Sequence, residues 1–266
     1  MEKTNIVITG STRGLGFCMA REFLLRGCAV MISGRTEGSV QSALKILKKG
    51  LPGANILGFP CDTRNASQMQ ALWDEAEKEF GHVDHWINNA GIGQPMLLLW
   101  DLSLDAVEDI IRTNVMGAFY GACVPMRGMV KRKQGAIWFM EGHGSDGRIR
   151  RGLSAYGASK RALRYVARAL AVEAKGTGIM VGALSPGIMI TDFTMKRLDR
   201  TNQEQWERTK KVFNILADKP ETVAAFLVPR ILGARKNGTL IAWLTTPKIL
   251  FRFMTAGLTK RRVIED

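Results

Sequence analysis

Short apolar runs alternate along the chain with longer stretches in which apolar side chains return every three or four positions. The runs read as buried strands and the stretches as helices with one apolar face. Strands are predicted from Ile6 to Ile8 and over 29–33, 55–60, 83–88, 135–140, 179–185 and 239–244. Helices are predicted over 17–25, 39–49, 66–80, 105–133, 156–175 and 220–232. Strands separated by a helix of about a dozen residues cannot pair as hairpins, so the pattern implies parallel pairing with right-handed crossovers. The expected fold class is α/β, a doubly wound parallel sheet with helices on both faces, in one domain over 1–266. Two segments break the alternation. A polar helical stretch over 191–216, within the span 186–218, falls at the carboxyl ends of the strands, where such segments often cover a substrate. The tail 247–266 mixes apolar and basic residues, and either docks on the core or makes a peripheral membrane contact.

Composition narrows the setting. With 266 residues, 46% of them hydrophobic, the chain can bury a full core. No apolar run approaches the ~18 residues that cross a bilayer. The N-terminus leads straight into the first strand, and no targeting segment is expected in this chain. Cys18, Cys28, Cys61 and Cys123 form no Cys-x-x-Cys pair, which suggests a reducing compartment. The net charge of +14 admits nucleic acid, an anionic membrane surface or an anionic ligand as partner. The basic residues are dispersed and no nucleic-acid module accompanies them, so no nucleic-acid partner is expected.

Candidate chemistry begins after the first strand, in the turn Gly10-Ser11-Thr12-Arg13-Gly14-Leu15-Gly16. Strand, glycine turn and helix in that order aim backbone N–H groups and a positive helix end at one point, which suits a pyrophosphate. Gly10 permits the tight turn, Gly14 the close approach of phosphate, and Gly16 the packing of helix on strand. The second strand of such a unit commonly ends in an acidic residue that meets the adenosine ribose. Here Arg35 stands 19 positions after Gly16, with Arg13 in the turn itself. Guanidinium groups favour a 2′-phosphate, so NADPH is expected rather than NADH.

Further along, Asn114 interrupts a helix, either as an exposed residue or as a buried polar one. His82 and His85 flank a strand with no third ligand at metal spacing; they read as structural, and no metal is expected. Tyr156 and Lys160 share a helix face. A tyrosine ordinarily titrates near ~10, and bringing it to neutrality takes about 4 kcal/mol of differential interaction, which a neighbouring ammonium can supply. An isolated Tyr–Lys pair is more often a surface contact.

The glycine turn, Asn88-Asn89-Ala90-Gly91, Asn114, Tyr156-x-x-x-Lys160 and Pro186-Gly187 occur in one order. That set resembles the short-chain dehydrogenase/reductase superfamily, with its Rossmann-type fold, over almost the whole chain. The resemblance implies that Tyr156 donates a proton and that Lys160 assists it and holds the nicotinamide ribose. It also implies that Asn114 anchors a proton-relay water, that Asp62 meets the adenine, that Asn89, Ala90 and Gly91 line the cofactor, and that Ile188 and Thr191 hold the carboxamide. A narrower likeness rests on Trp86-Ile-Asn-Asn-Ala-Gly91, Met140-Glu-Gly-His-Gly-Ser-Asp-Gly147 and Lys219-Pro-Glu-Thr-Val-Ala-Ala-Phe-Leu-Val-Pro-Arg230. These stretches resemble the chlorophyll(ide) b reductases, which use NADPH to reduce the C7 formyl group of chlorophyll b.

One departure stands out: the superfamily's catalytic serine falls at His143, and Ser145 lies two positions later. Either Ser145 or His143 is expected to polarise the carbonyl. The aromatic and Met-rich residues around Met189 and Phe193 would give an apolar wall, and Arg148, Arg150 and Arg151 would meet an anionic propionate or stand solvated. The expected partner is an apolar carbonyl substrate such as a chlorophyll pigment, handled by a homo-oligomer. A plant or algal source would place it in the plastid, and any other in the cytoplasm. The alternatives are a reductase of 3-oxoacyl thioesters or steroids, and a non-catalytic NADPH-binding regulator.

Overall fold

Alternation of strand and helix persists through the computed structural model, which describes residues 3–195, 203–259 and 261–264. The strands are β1 (Asn5–Ile8), β2 (Ala29–Gly34), β3 (Ile56–Pro60), β4 (His85–Asn88), β5 (Gly135–Met140), β6 (Ile179–Ser185) and β7 (Thr239–Ala242). The helices between β1 and β6 are α1 (Gly14–Leu24), α2 (Glu37–Gly50), α3 (Ala66–Phe80), α4 (Leu104–Ile111), α5 (Gly117–Arg132) and α6 (Ser154–Glu173). After β6 come the single turn α7 (Asp192–Met195), α8 (Gln203–Leu216), α9 (Pro220–Gly233), α10 (Thr246–Met254) and α11 (Ala256–Thr259). All strands pair in parallel, in the order β3-β2-β1-β4-β5-β6-β7.

Both faces of the sheet are covered, which is why its strands are apolar throughout rather than alternating. Ile6, Ile8, Val30, Ile32 and Trp138 pack towards α1, α2 and α9. Val7, Met31, Ile137 and Phe139 point the other way, towards α3, α5 and α6. The chain runs outward from β1 to β3, then returns to place β4 on the other side of β1. That reversal opens a crevice at the carboxyl ends of β1 and β4.

The predicted helix over 105–133 proves to be α4 and α5 joined by a π-helical segment, Arg112–Met116. Its extra residue per turn carries Asn114, which is wholly buried. The polar segment over 191–216 is helical at α7 and α8; residues 196–202 between them lie outside the described residues, as does Lys260 of the tail.

The tail docks through its charges. Arg252 forks onto the buried carboxylate of Asp218 at 2.7 and 3.1 Å, and Arg261 reaches it at 2.7 Å. Trp243 Nε1 donates to the same group at 2.7 Å, and Lys248 lies over the Trp243 ring. Beyond them, Ile264 packs against Phe213 and Ala217. Helix α10 thus turns Lys248 and Arg252 inward and leaves Leu250, Phe251, Phe253 and Met254 exposed. Burial pushes the Asp218 carboxyl up, but hydrogen bonds from Arg252 and Trp243 outweigh it and hold the group below its ordinary 3.8. A carboxyl held low stabilises the fold above its unfolded value and loses that contribution as pH falls through the folded one. Asp218→Ala is expected to cost about 3 kcal/mol, because two arginines lose a buried partner. Urea unfolding at pH 7 measures the cost, limited proteolysis should then cut within the tail, and the difference from wild type should shrink below pH 4.

Candidate functional site

Backbone meets backbone where β1 and β4 end. Gly10 lies in the left-handed region at φ 60°, and a Cβ there would sit 2.7 Å from Ala90 Cα. A Cβ on Gly16 would meet Asn89 Nδ2 at 2.5 Å, which explains why the first turn of α1 tolerates no side chain there. Asn89 in turn donates to the carbonyls of Thr9 and Gly10, both at 2.9 Å. Thr9 Oγ1 accepts from the N–H groups of Asn89 and Ala90, both at 3.1 Å. Ser11 is fully buried, donating to Ile8 O at 2.6 Å and accepting from Ser33 N–H at 3.0 Å. It closes the turn and does not line the crevice.

The crevice holds a cavity of about 910 Å³ running from this turn to Tyr156, a volume suited to a ligand of cofactor size with room beside it. Gly14 stands at φ 58° with nothing within 4 Å of where a Cβ would be, leaving its N-terminal helix end open. Arg13, Arg35, Thr12, Thr36, Ser39 and Ser42 line the same end. Guanidinium and hydroxyl donors beside an open helix end fit a phosphorylated dinucleotide. Asp62 stands behind its lining neighbours Cys61 and Thr63, gripped by Arg64 through contacts of 2.7 and 3.0 Å. Hydrogen bonds from Arg64 outweigh burial and hold the Asp62 carboxyl below its usual range, with Arg35 contributing at longer range.

At the other end, Tyr156 and Lys160 both line the cavity and are both buried, at 6% and 4% exposure. Lys160 Nζ stands 5.8 Å from the centre of the Tyr156 ring and donates to Met140 O at 3.2 Å. Gly142 lies against the Tyr156 hydroxyl so closely that any side chain would displace it. Asn114 is behind them: its amide exchanges hydrogen bonds with the Ile92 backbone at 2.8 and 2.9 Å and donates to Ser159 Oγ at 3.0 Å. Gly91 fills the gap, its missing Cβ lying 3.2 Å from Asn114 Oδ1 and 3.4 Å from Lys160 Nζ.

Of the two residues expected to polarise a carbonyl, only His143 reaches the cavity. Ser145 is buried, its hydroxyl donating to Lys160 O and accepting from Gly142 N–H, both at 3.1 Å. The first bond ties the loop to α6 and the second closes the loop on itself. Burial lowers the His143 pKa, with Arg150 and Arg148 adding to the effect, so the ring is neutral near pH 7. Among the three arginines after the loop, Arg150 lines the cavity, Arg148 pairs with Asp146 and Arg151 is exposed. Pro186, Gly187, Ile188 and Thr191 line the cavity, and Met189 contributes to its apolar wall; the Phe193 side chain lies outside the described residues. Away from the site, His85 accepts from Trp138 Nε1 at 3.2 Å, burial drives its pKa to about 4, and His82 pairs with Asp84.

Several residues had no signal in the sequence. Met96, Leu153 and Phe213 join the wall from distant segments. Gln94 is fully buried and accepts from the Tyr156 N–H at 3.0 Å, while donating to Gly152 O at 2.9 Å. Helix α6 has no side-chain cap at Leu153, so Gln94 satisfies one of its unpaired first-turn donors from outside.

A family model described as short chain dehydrogenase matches residues 4–202. A protein of Arabidopsis thaliana named probable chlorophyll(ide) b reductase, chloroplastic, is 32% identical over 278 residues, which cover 98% of this chain and 55% of the relative. The chain thus spans about half of that relative's length. A rice protein (Oryza sativa subsp. japonica) named chlorophyll(ide) b reductase, chloroplastic, is 34% identical over 245 residues, 89% of this chain and 68% of the relative. In fold, a crystal structure of levodione reductase superposes with a TM-score of 0.83 at 23% identity, covering 92% of this chain and 97% of that one.

Gln94→Ala would leave the Tyr156 N–H and the Gly152 carbonyl without their partner. The expected loss is about 2 kcal/mol of stability, read by urea unfolding. A variant as stable as wild type would show that α6 needs no cap from this loop.

Proposed function

The chain belongs to the short chain dehydrogenase family, and from that membership we propose that it is an NADPH-dependent reductase of the C7 formyl group of chlorophyll(ide) b. The observation that carries the reading is the buried Tyr156–Lys160 pair, facing the same cavity as the glycine turn. Bound NADPH supplies the hydride. Lys160 lowers the cost of a Tyr156 phenolate, and the Tyr156 hydroxyl gives its proton to the oxygen that becomes the alcohol. His143 donates a hydrogen bond to that oxygen as charge develops on it, and Asn114 holds the Ile92 backbone and α6 around the pair.

Arg13 and Arg35 support the choice of NADPH, since both line the cavity at its nucleotide end. The apolar wall of Ile92, Met96, Leu153, Met189 and Phe213 suits a large flat ligand, and Arg150 an anionic propionate on it. The names of the two plant relatives favour a pigment over other apolar carbonyls, and work in the plastid if the source is a plant or alga. Within the span 186–218, Ile188, Met189, Thr191, Thr194 and Phe213 line the cavity and would cover the substrate. Among the described residues, no helix is long and apolar enough to cross a membrane.

Arg35→Ser is expected to weaken NADPH binding about 10- to 100-fold, the loss of a charge-assisted contact, and to leave NADH binding within twofold. Fluorescence titration with both nucleotides measures this; equal weakening of the two would remove the 2′-phosphate assignment. Stopped-flow loss of NADPH absorbance with chlorophyllide b tests the reaction itself. There Tyr156→Phe should lower kcat by at least ~10²-fold and His143→Ala by a similar factor. Turnover of 3-oxoacyl thioesters but not of chlorophyllide b would keep the mechanism and overturn the substrate.

A further inference from the structure

Glu141 is a carboxylate in a place where the reaction described above gives it no task. It follows Met140, whose carbonyl accepts from Lys160 Nζ, and precedes Gly142, which touches the Tyr156 hydroxyl. Its side chain is 3% exposed, and Oε1 lies 3.4 Å from Arg164 Nε without the alignment of a hydrogen bond. Glu141 also borders two cavities. One is the large cleft that Lys160 and Tyr156 line. The other, of about 100 Å³, lies behind β5 between α6, β6 and β7. Arg168, Gly238 and Leu240 border that second cavity and are exposed, so it reaches the protein surface.

Each carbonyl reduction consumes one proton at Tyr156, and that proton must be replaced from solvent. We propose that Glu141 is the port through which it returns, taking a proton from solvent on the side of the small cavity and passing it towards Lys160 in the cleft. The carboxylic acid O–H bond breaks as an N–H bond forms on Lys160, after Lys160 has re-protonated the Tyr156 phenolate. The resulting carboxylate takes its proton back from solvent, so each turnover draws one proton from outside. The inference rests on the reductase reading.

The surroundings suit a group that changes charge. Burial raises the Glu141 pKa above its ordinary 4.5, and Asp146 adds to this. Arg164, Arg168 and Lys160 pull the other way and keep the carboxylate accessible. These are the charged groups that face it from α6 and from its own loop. A carboxyl raised above its ordinary value keeps its proton to higher pH, which suits it to hand one on and take one back better than an unshifted carboxyl.

The test is steady-state and stopped-flow kinetics of the NADPH-loaded enzyme with chlorophyllide b. Glu141→Gln keeps the shape and removes the titrating proton. Expected are a kcat about tenfold lower, a KM within twofold of wild type, a larger solvent deuterium isotope effect and loss of one ionisation from the pH profile of kcat. Glu141→Asp should restore part of the rate and the ionisation. Infrared difference spectra should show a protonated carboxyl band in wild type that is missing in Glu141→Gln, a readout independent of turnover. Wild-type kcat, isotope effect and pH profile in Glu141→Gln overturn the proposal. So does a lower rate that comes only with a lower melting temperature and an unchanged isotope effect. Tyr156→Phe separates the two levels: if it is inactive, a normal Glu141→Gln overturns the proton route alone. Full turnover by Tyr156→Phe overturns the reductase reading and the proton route with it.

Discussion

The loop that leaves β5 lies flat along helix α6, and the site depends on that contact. Lys160 reaches back to Met140 O, Ser145 Oγ donates to Lys160 O, and Arg161 donates to Ser145 O. Gly142 sits between them, against the Tyr156 hydroxyl. A loop held at three points cannot move without moving the ammonium and the phenol. Each of these bonds is modest by itself, about 1 kcal/mol net, but breaking one inside this buried seam leaves a polar atom without water to replace its partner. Rigidity of this kind is what the proton donor proposed at Tyr156 needs, since a displacement of about 1 Å already costs rate.

A second seam ties the nucleotide end to the first. Asn89 and Thr9 lock the end of β4 to the end of β1, and the residues that follow Asn89 carry Gly91 to Asn114 and Lys160. The two ends of the cavity therefore share one continuous stretch of backbone. Small residues are required along it for opposite reasons. Gly10 has to turn left-handed and accept Ala90 at close range, whereas Gly91 has to leave space for two polar side chains. Asn114 completes the seam, and the π-helical widening between α4 and α5 gives its side chain the inward direction that its bonds to Ile92 require.

Charge is used differently in the two halves of the molecule. Around the glycine turn, Arg13 and Arg35 line the cavity. In the C-terminal region Arg252 and Arg261 are spent on Asp218, and the apolar side chains of α10 face outward. Hydropathy alone would turn that helix the other way, because the period of its apolar residues says nothing about a buried carboxylate donated by the end of α8's own connection. The chain's net charge of +14 is thus a sum over groups with separate tasks.

Period and punctuation along the chain were enough to determine the strands, the parallel doubly wound sheet and the crevice at the end of β1, since these follow from local sterics and from burying both faces of a sheet. The glycine turn, Arg35 and the Tyr156–Lys160 spacing were legible for the same reason: each is a short-range pattern whose geometry one element carries. Contacts between distant segments were not. Whether Asn114 is buried, whether Ser145 or His143 faces the cavity, that Gln94 caps α6 and that Glu141 borders two cavities were decided only when β4, β5 and α6 packed together. A side chain's neighbours across tens of residues depend on how elements stack, and no local pattern records that.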